Sequence, residues 1–572
     1  MKSSTQSTHE AESSHPSALL HDCRGYLFIR CFFNRSRSLH QSVQYRCKRS
    51  VRCGARDFWE HPRCRCAVGI EQRYRCERRS IRQYSVAVRR CVCVRSNGTN
   101  WTQQAYLKAS NTGASDGFGQ SVAIDRDTIV VGAVKEDSNA SGINGNQTNN
   151  SLMNSGAAYV FVREGTNWVQ QAYLKASNSG LRFEFGFRVA IFSNTIAISS
   201  PMESSDAIGV NGAGNNTNAP SSGSVYVFVR EGTNWQQQAY LKASNAEAGD
   251  TFGGSLAISG ETIVVGAFDG SAATGVNGNQ ADNSATGAGA AYVFVRDGTN
   301  WTQQAYLKAS NTGAQDRFGA GANIAISGDT VVVGAYAEAS NATGVNGNQS
   351  NNDAAGAGAA YVFVRNGTNW TPQAYIKSSN TEADDAFGVP AIAGDFLLIG
   401  APHEDSSATG IDGSQTNNLT GDSGAAYLLT RSGTNWVQSA YIKASNTGGG
   451  DNFGGVLAIS GDTLVIAAPF EDGSSVGVNG VQHDDAAANS GAAYVFRLVN
   501  PAPHLTISHD GSGGYFVTCD AEQTGTYQLE RTSNLGGSWT TNSVVTNATS
   551  GVLQFHDTNA PDAQAFYRVS KQ

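Results

Sequence analysis

The chain has 572 residues, a formal net charge of −7, 65 glycines, 11 prolines and 10 cysteines. No apolar run is long enough to span a bilayer. The start, MKSSTQSTHEAESS, has no apolar core after its lysine, which excludes a secretory signal as written.

Charge divides the chain in two. Through Arg95 there are 20 Lys+Arg against 7 Asp+Glu, and the remainder holds 20 against 40. Nine of the ten cysteines lie before Ser96. Such asymmetry ordinarily marks a nucleic-acid or membrane arm on an acidic body. Cys64, Cys66, Cys76, Cys91, Cys93 and His61 could be drawn as a zinc site, but their spacing is not the usual pair two apart. The basic run CERRSIRQ offers a nucleic-acid patch. Neither reading is preferred, for a reason that the rest of the chain supplies.

From Trp101 onward one phrase recurs. Phe-Gly stands at Phe118-Gly119, Phe185-Gly186, Phe252-Gly253, Phe318-Gly319, Phe387-Gly388 and Phe453-Gly454, at steps of 67, 67, 66, 69 and 66 residues. Trp101, Trp168, Trp235, Trp301, Trp370 and Trp436 keep the same step. Each unit carries four strand signals. SLAIS and TIVVGA flank SGE, and AAYVFVR and WTQQAYLKA flank DGTN, so each pair reads as a hairpin. Both faces of AYVFV are apolar, which suits a sheet packed between neighbouring sheets. Four short strands at a fixed period predict an all-β fold, a β-propeller of four-stranded blades. A solenoid or tandem sandwiches are the alternatives.

FGGSLAISGETIVVGA (252–267) resembles the FG-GAP repeat of integrin α-subunit propellers and their bacterial relatives, and the resemblance spans 118–498. It implies a secreted or cell-surface binding propeller of seven blades, whereas six Phe-Gly units are visible. It also implies calcium, held in a loop shaped D-x-D-x-D-G-x-x-D and by the oxygen ligands that calcium requires. The loops here have the Gly and Asx residues without that acid spacing. The calcium candidates are Glu404, Asp405, Asp412, Asp422, Glu471 and Asp472. Asp116, Asp250, Asp316, Asp385 and Asp451 sit two residues before Phe-Gly, with Phe183 in unit two; a repeated Asp there most simply caps a turn. The repeated Trp and Tyr are read as core or blade-edge packing rather than a carbohydrate platform.

The missing unit lies upstream. Arg and Cys codons share a middle G, so an Arg/Cys-rich tract is how this Gly/Ala/Val-rich repeat would read one base out of frame. Shifted by one base, Ser38–Arg95 admits AYIKASNT at its start, a Phe-Gly beginning at Val51 and LQSGAAYVFV at its end. Val51 is 67 residues before Phe118. The extra residue in RSNGTNW, against REGTNW or RNGTNW elsewhere, marks the junction. Residues 1–95 are therefore read as out-of-frame translation, disordered or poorly ordered, and 96–499 as the propeller. Six blades are expected in this chain and seven in the intact gene. The last unit lacks a fourth strand, so Trp101–Ser110 is expected to pair with Ala492–Phe496 and close the ring, with an open arc as the competitor.

Residues 500–504 form a proline-bearing linker. Residues 505–572 hold six strand-length segments and are expected to form a small β-sandwich. They resemble C-terminal β modules common on secreted bacterial proteins. Cys519 is expected to be a buried thiol. Within the propeller the histidines are His403 and His483, and no nucleophile-elbow motif occurs. The expected function is non-catalytic binding of an extracellular protein or glycan by a secreted or surface-displayed monomer through long blade loops. No nucleic acid, transmembrane segment or firm cofactor is expected. A propeller glycoside hydrolase or polysaccharide lyase is the alternative.

Overall fold

The run TIVVGA is apolar on both faces, and the fold leaves neither in water. In the computed structural model Thr262–Ala267 is buried along its whole length, between Ser255–Ser259 and Ala290–Asp297 of one antiparallel sheet. Asn300–Leu307 adds the fourth strand. The structure describes residues 90–97 and 100–498 except 322, the backbone of Tyr26–Ile29, and six strands between Thr506 and Lys571. All regular structure among these residues is strand.

The same four-stranded sheet is built five times, over residues 118–174, 189–241, 255–307, 324–376 and 389–442. A sixth sheet has three strands: Val456–Ser460, Thr463–Ala468 and Ala492–Arg497. Successive innermost strands pack on one another in chain order, from Phe118–Asp125 to Val456–Ser460. This is the propeller arrangement, each sheet burying its faces against its neighbours. Each Phe of a Phe-Gly is buried, and Phe252 meets Tyr292 and Phe294 edge-on at 5.4 and 6.0 Å between ring centroids.

A bulge ties one blade to the next. The third and fourth strands slip by one residue in every complete sheet, as between Val293 and Phe294. The residue left over on the fourth strand is a glutamine in four of these sheets, and it accepts the indole N–H of the next sheet's tryptophan. Trp235 reaches Gln171 at 2.8 Å, Trp301 reaches Gln238 at 2.8 Å, and Trp436 reaches Gln373 at 2.9 Å. A bulge re-aims one side chain out of the ladder, and here it aims across a seam. The tryptophans thus serve blade-edge packing, with Trp235, Trp301, Trp370 and Trp436 buried.

The expected pairing of Trp101–Ser110 with Ala492–Phe496 is corrected. Trp101–Leu107 pairs with Cys91–Ser96, which pairs in turn with Tyr26–Ile29. The register Cys91↔Leu107 and Cys93↔Ala105, with its bulge at Gln104, repeats that of Ala158↔Leu174 and Val160↔Ala172. The matching registers leave no extra residue in the hairpin: Ser96 stands opposite Trp101 as Arg163 stands opposite Trp168. Cys91 and Cys93 take the places of a small and a β-branched residue and are buried beside Leu107, Phe118 and Ile129. Cysteine behaves there as a small hydrophobe, and burial pushes the Cys93 thiol up to about 11. Among the described residues neither thiol forms a disulfide. Cys64, Cys66, Cys76, His61, the run CERRSIRQ and the expected disorder before Arg90 fall outside the described residues, apart from the strand Tyr26–Ile29.

The C-terminal unit has two three-stranded sheets. Thr506–His509, Tyr515–Ala521 and Gly551–Asp557 form one; Thr540–Ala548, Gly525–Thr532 and Phe566–Lys571 form the other. Val517 and Phe555 from the first pack with Tyr527 and Leu529 from the second, as a sandwich requires. Asp557, nearly fully buried, accepts from Arg531 at 2.6 Å and from the Tyr567 hydroxyl at 2.8 Å. The Cys519 side chain lies outside the described residues.

Candidate binding surface

The residue before each loop and the residue after each fourth strand form an internal ion pair. Lys175 Nζ lies 2.9 Å from Glu136 Oε2, and donates to the Ser138 carbonyl at 2.8 Å and Ser155 Oγ at 2.6 Å. Lys242 does the same with Glu203, the Ser205 carbonyl and Ser222. Lys308–Asp269, Lys377–Glu338 and Lys443–Glu404 complete the series at 3.4, 2.9 and 2.7 Å. All ten side chains are 0–2% exposed. Burial holds each ammonium below its ordinary range, opposed by the carboxylate beside it. Asparagines bridge the blades: Asn380 Nδ2 donates to Glu404 at 3.0 Å, while its Oδ1 accepts from the Tyr427 hydroxyl at 2.6 Å. No buried polar side-chain atom of the network lacks a hydrogen-bond partner, which is how a buried charge is tolerated.

The calcium candidates are distributed through this framework. Glu404 is held by Lys443, by Asn380 and by the Tyr441 hydroxyl at 2.8 Å. Asp412 accepts the Tyr441 N–H at 2.9 Å, and Asp405 accepts the Asp422 N–H at 2.7 Å. Asp422 meets His403 Nδ1 at 2.9 Å on the exposed rim. Asp472 accepts the Asn489 N–H at 2.5 Å, and Glu471 accepts from Asn446 at 3.1 Å. Asp405 and Asp422 are brought together; Glu404 and Glu471 belong to the buried network, and Asp412 and Asp472 accept backbone N–H groups elsewhere. Among the described residues no three His, Cys, Asp or Glu side chains form a metal-sized group.

Each Asp before Phe-Gly closes a turn onto a backbone N–H three residues earlier. Gly113 donates to Asp116 at 2.7 Å, Glu247 to Asp250 at 2.8 Å, Gly313 to Asp316 at 2.6 Å, Glu382 to Asp385 at 2.9 Å and Gly448 to Asp451 at 3.0 Å. Burial pushes Asp250 and Asp385 up to about 7 and Asp116, Asp316 and Asp451 up to about 6; the donated N–H opposes the rise in each. A folded-state value above the unfolded one means stability that is full below pH 4 and lost as pH rises through 6 to 7. The double variant Asp250→Asn and Asp385→Asn is expected to flatten that decline. It should gain about 1–3 kcal/mol over the parent at pH 7.5. Thermal melts from pH 4.5 to 8 check this, and an unchanged pH slope counts against it.

The long loops between the second and third strands lie along the fourth strand. Val210, Val276, Val345 and Ile411 bridge Leu241, Leu307, Ile376 and Ile442, and Asn277 Oδ1 accepts the Tyr306 N–H at 2.9 Å. Their outer turns stay exposed, with Ile208 and Ile411 at 58% and Leu419 at 80%. One seam opens further. Pro372 stands where other fourth strands have Gln170, Gln303 or Gln438, each of which donates to a serine of the preceding sheet. A cleft of about 160 Å³ lies there, lined by Ser310, Asn346, Gln349, Tyr361, Pro372 and Tyr375. Sequence reading missed it, although Pro in place of the repeated Gln was the visible signal.

Repeated four-stranded sheets joined through Phe-Gly seams define the class, an all-β propeller of repeated blades. The FG-GAP repeat model matches residues 101–161, 168–228, 235–294, 301–363 and 436–496, more than half of the chain. The chain belongs to the FG-GAP repeat family, whose propellers typically serve binding or adhesion. Each match runs from a fourth strand to the third strand of the next sheet. The span between 363 and 436 is unmatched, yet its sheet is complete in the fold. No curated protein matches the chain. No helix among the described residues is long and apolar enough to cross a membrane.

Proposed function

We propose that this chain is a non-catalytic propeller, secreted or displayed at a cell surface, that recognises an extracellular protein or glycan. The observation that carries the reading is the use of the repeated ionisable groups. The five Lys–carboxylate pairs and the five Asp turns are engaged in holding each blade's loops and turns. Solvent meets instead the loop turns and the cleft at Pro372, a concave place with aromatic and amide groups such as a sugar contacts. The test is a glycan and extracellular-protein binding screen, run with calcium and with chelator, beside glycosidase and lyase assays. Saturable binding without turnover supports the reading; turnover that survives repurification overturns it. A melting shift on adding calcium would assign the Asp405–Asp422 turn a metal role.

We further read the chain before Ser96 as an out-of-frame translation of one more repeat. Its support is the strand Cys91–Ser96, which keeps the third-strand register of Ala157–Glu164 while carrying none of its aromatic residues. Resequencing the DNA on both sides of codon 95 tests it. Indels that restore AAYVFV are the expected result, and an unaltered frame in independent isolates rejects it.

A further inference from the structure

Among the described residues, the last sheet carries a lysine socket with no lysine in it. In the first two complete sheets the fourth-strand ammonium meets three acceptors: a carboxylate, the carbonyl two residues on, and a serine hydroxyl just before the third strand. In the last unit those positions are Glu471, Gly473 and Ser490. They are assembled in the same way: Ser490 Oγ donates to the Gly473 carbonyl at 2.5 Å and the Glu471 carbonyl at 3.2 Å, as Ser155 does to Ser138 at 2.7 Å and Glu136 at 3.2 Å. Glu471 is 5% exposed and, among the described residues, pairs with no cation. A buried carboxylate without a counter-charge is costly to leave. Among the described residues the cover is missing too. Ser490 is exposed where Ser155, Ser222 and Ser423 are buried, and Ala492–Arg497 is the edge of its sheet.

We infer that this edge takes a fourth strand from a second copy of the chain, and that the strand is Trp101–Lys108, exchanged out of its pairing with Cys91–Ser96 in the donor copy. WTQQAYLK matches the strands that fill the same place in the complete sheets. It is also the least buried of them, with Tyr106 52% exposed where Tyr173, Tyr306 and Tyr441 are fully buried. Strand addition to an open edge supplies main-chain hydrogen bonds, and side-chain pockets give the specificity. The Lys108 ammonium is the group that Glu471 selects. Trp101 adds little, because Ser439 replaces the glutamine that would accept its indole N–H. Sequence reading expected a monomer; this edge contact predicts self-association.

The test uses the whole chain and a synthetic peptide of residues 101–111, WTQQAYLKASN. The peptide is expected to bind the chain, and its Lys108→Met form to bind at least about tenfold more weakly. Glu471→Gln in the chain should weaken the wild-type peptide by a similar factor. Light scattering on sized fractions should show concentration-dependent association that excess peptide abolishes. Three results overturn the inference: no peptide binding, equal binding of the Lys108→Met peptide, or a chain monomeric at all concentrations. The peptide comparison leaves the fold untouched, so a variant chain that fails to fold does not obscure the answer.

Discussion

Replacing Lys443 with methionine is expected to cost about 3–5 kcal/mol of stability, among the largest effects of any single side-chain truncation in the chain. Lys443 and Glu404 are 0% and 2% exposed, with their charged atoms 2.7 Å apart. Methionine keeps the stem of the lysine and removes only its charge. It leaves the Glu404 carboxylate an uncompensated anion, with the Asn380 amide still donating to it and the Ser423 hydroxyl stripped of its ammonium donor. Glu404→Gln should cost a comparable amount by stranding the ammonium. The double variant should recover much of the loss, because a pair removed together leaves no buried charge. Urea unfolding followed by tryptophan fluorescence measures all four corners of the cycle. Single-variant losses under about 1 kcal/mol, or additive losses in the double, would show that the pair is solvated and the network dispensable.

That ion pair marks the limit of what the sequence discloses. Strands such as TIVVGA and AAYVFV are legible because period two and β-branched residues constrain a pleated, buried surface directly. The Asp before Phe-Gly is legible as a turn residue because its bond is three residues long. The lysine is not, since a lysine ending a strand ordinarily reads as a solvent contact. Its partner lies 39 residues away across a Gly/Asn-rich loop in all five complete sheets. That constant separation was the available signal, and the acid ahead of the loop drew attention as a calcium ligand instead. The loops misled for a related reason. GVNGN looks like a free surface turn, whereas its central Asn satisfies a fourth-strand N–H that the ladder leaves over.

The first sheet misled in the other direction. CVCVRS reads by composition as part of a basic, cysteine-rich segment, and nothing local marks it as a propeller strand. Yet strand faces need only alternation and approximate volume, and Cys91, Cys93 and Val94 meet both demands. Trp101–Leu107 therefore found a partner that composition disguised. The surface cost is visible on the other side of the pair, where Val92 faces Tyr106 in place of the Tyr159–Tyr173 contact at 5.3 Å.

Gly334→Ala is expected to cost about 3 kcal/mol or more, through the seam between blades rather than within one. A methyl group on Gly334 would be driven into the backbone carbonyl of Gly388, which belongs to the next blade. Gly388 cannot retreat, because its N–H donates to the Gly400 carbonyl at 3.0 Å and its φ of 138° is one that other residues rarely adopt. The same collision awaits an added Cβ at Gly132, Gly266 and Gly400, so the two glycines of the repeat are the two sides of one backbone-to-backbone contact. The final unit has Ala467 at that position, and no later Phe-Gly follows it to be met. Gly344→Ala provides the control: its φ is also positive, at 69°, but nothing lies within 4 Å, so its cost should stay near the roughly 1 kcal/mol of backbone strain alone. Denaturant midpoints of the two variants separate the contributions. Equal losses would mean that the seam yields to a methyl group and that the paired glycines serve conformation only. A loss at Gly334 several times larger would make close approach between neighbouring blades the reason these two glycines recur together at every blade-to-blade step except that of unit two, where Ser199 faces Gly253.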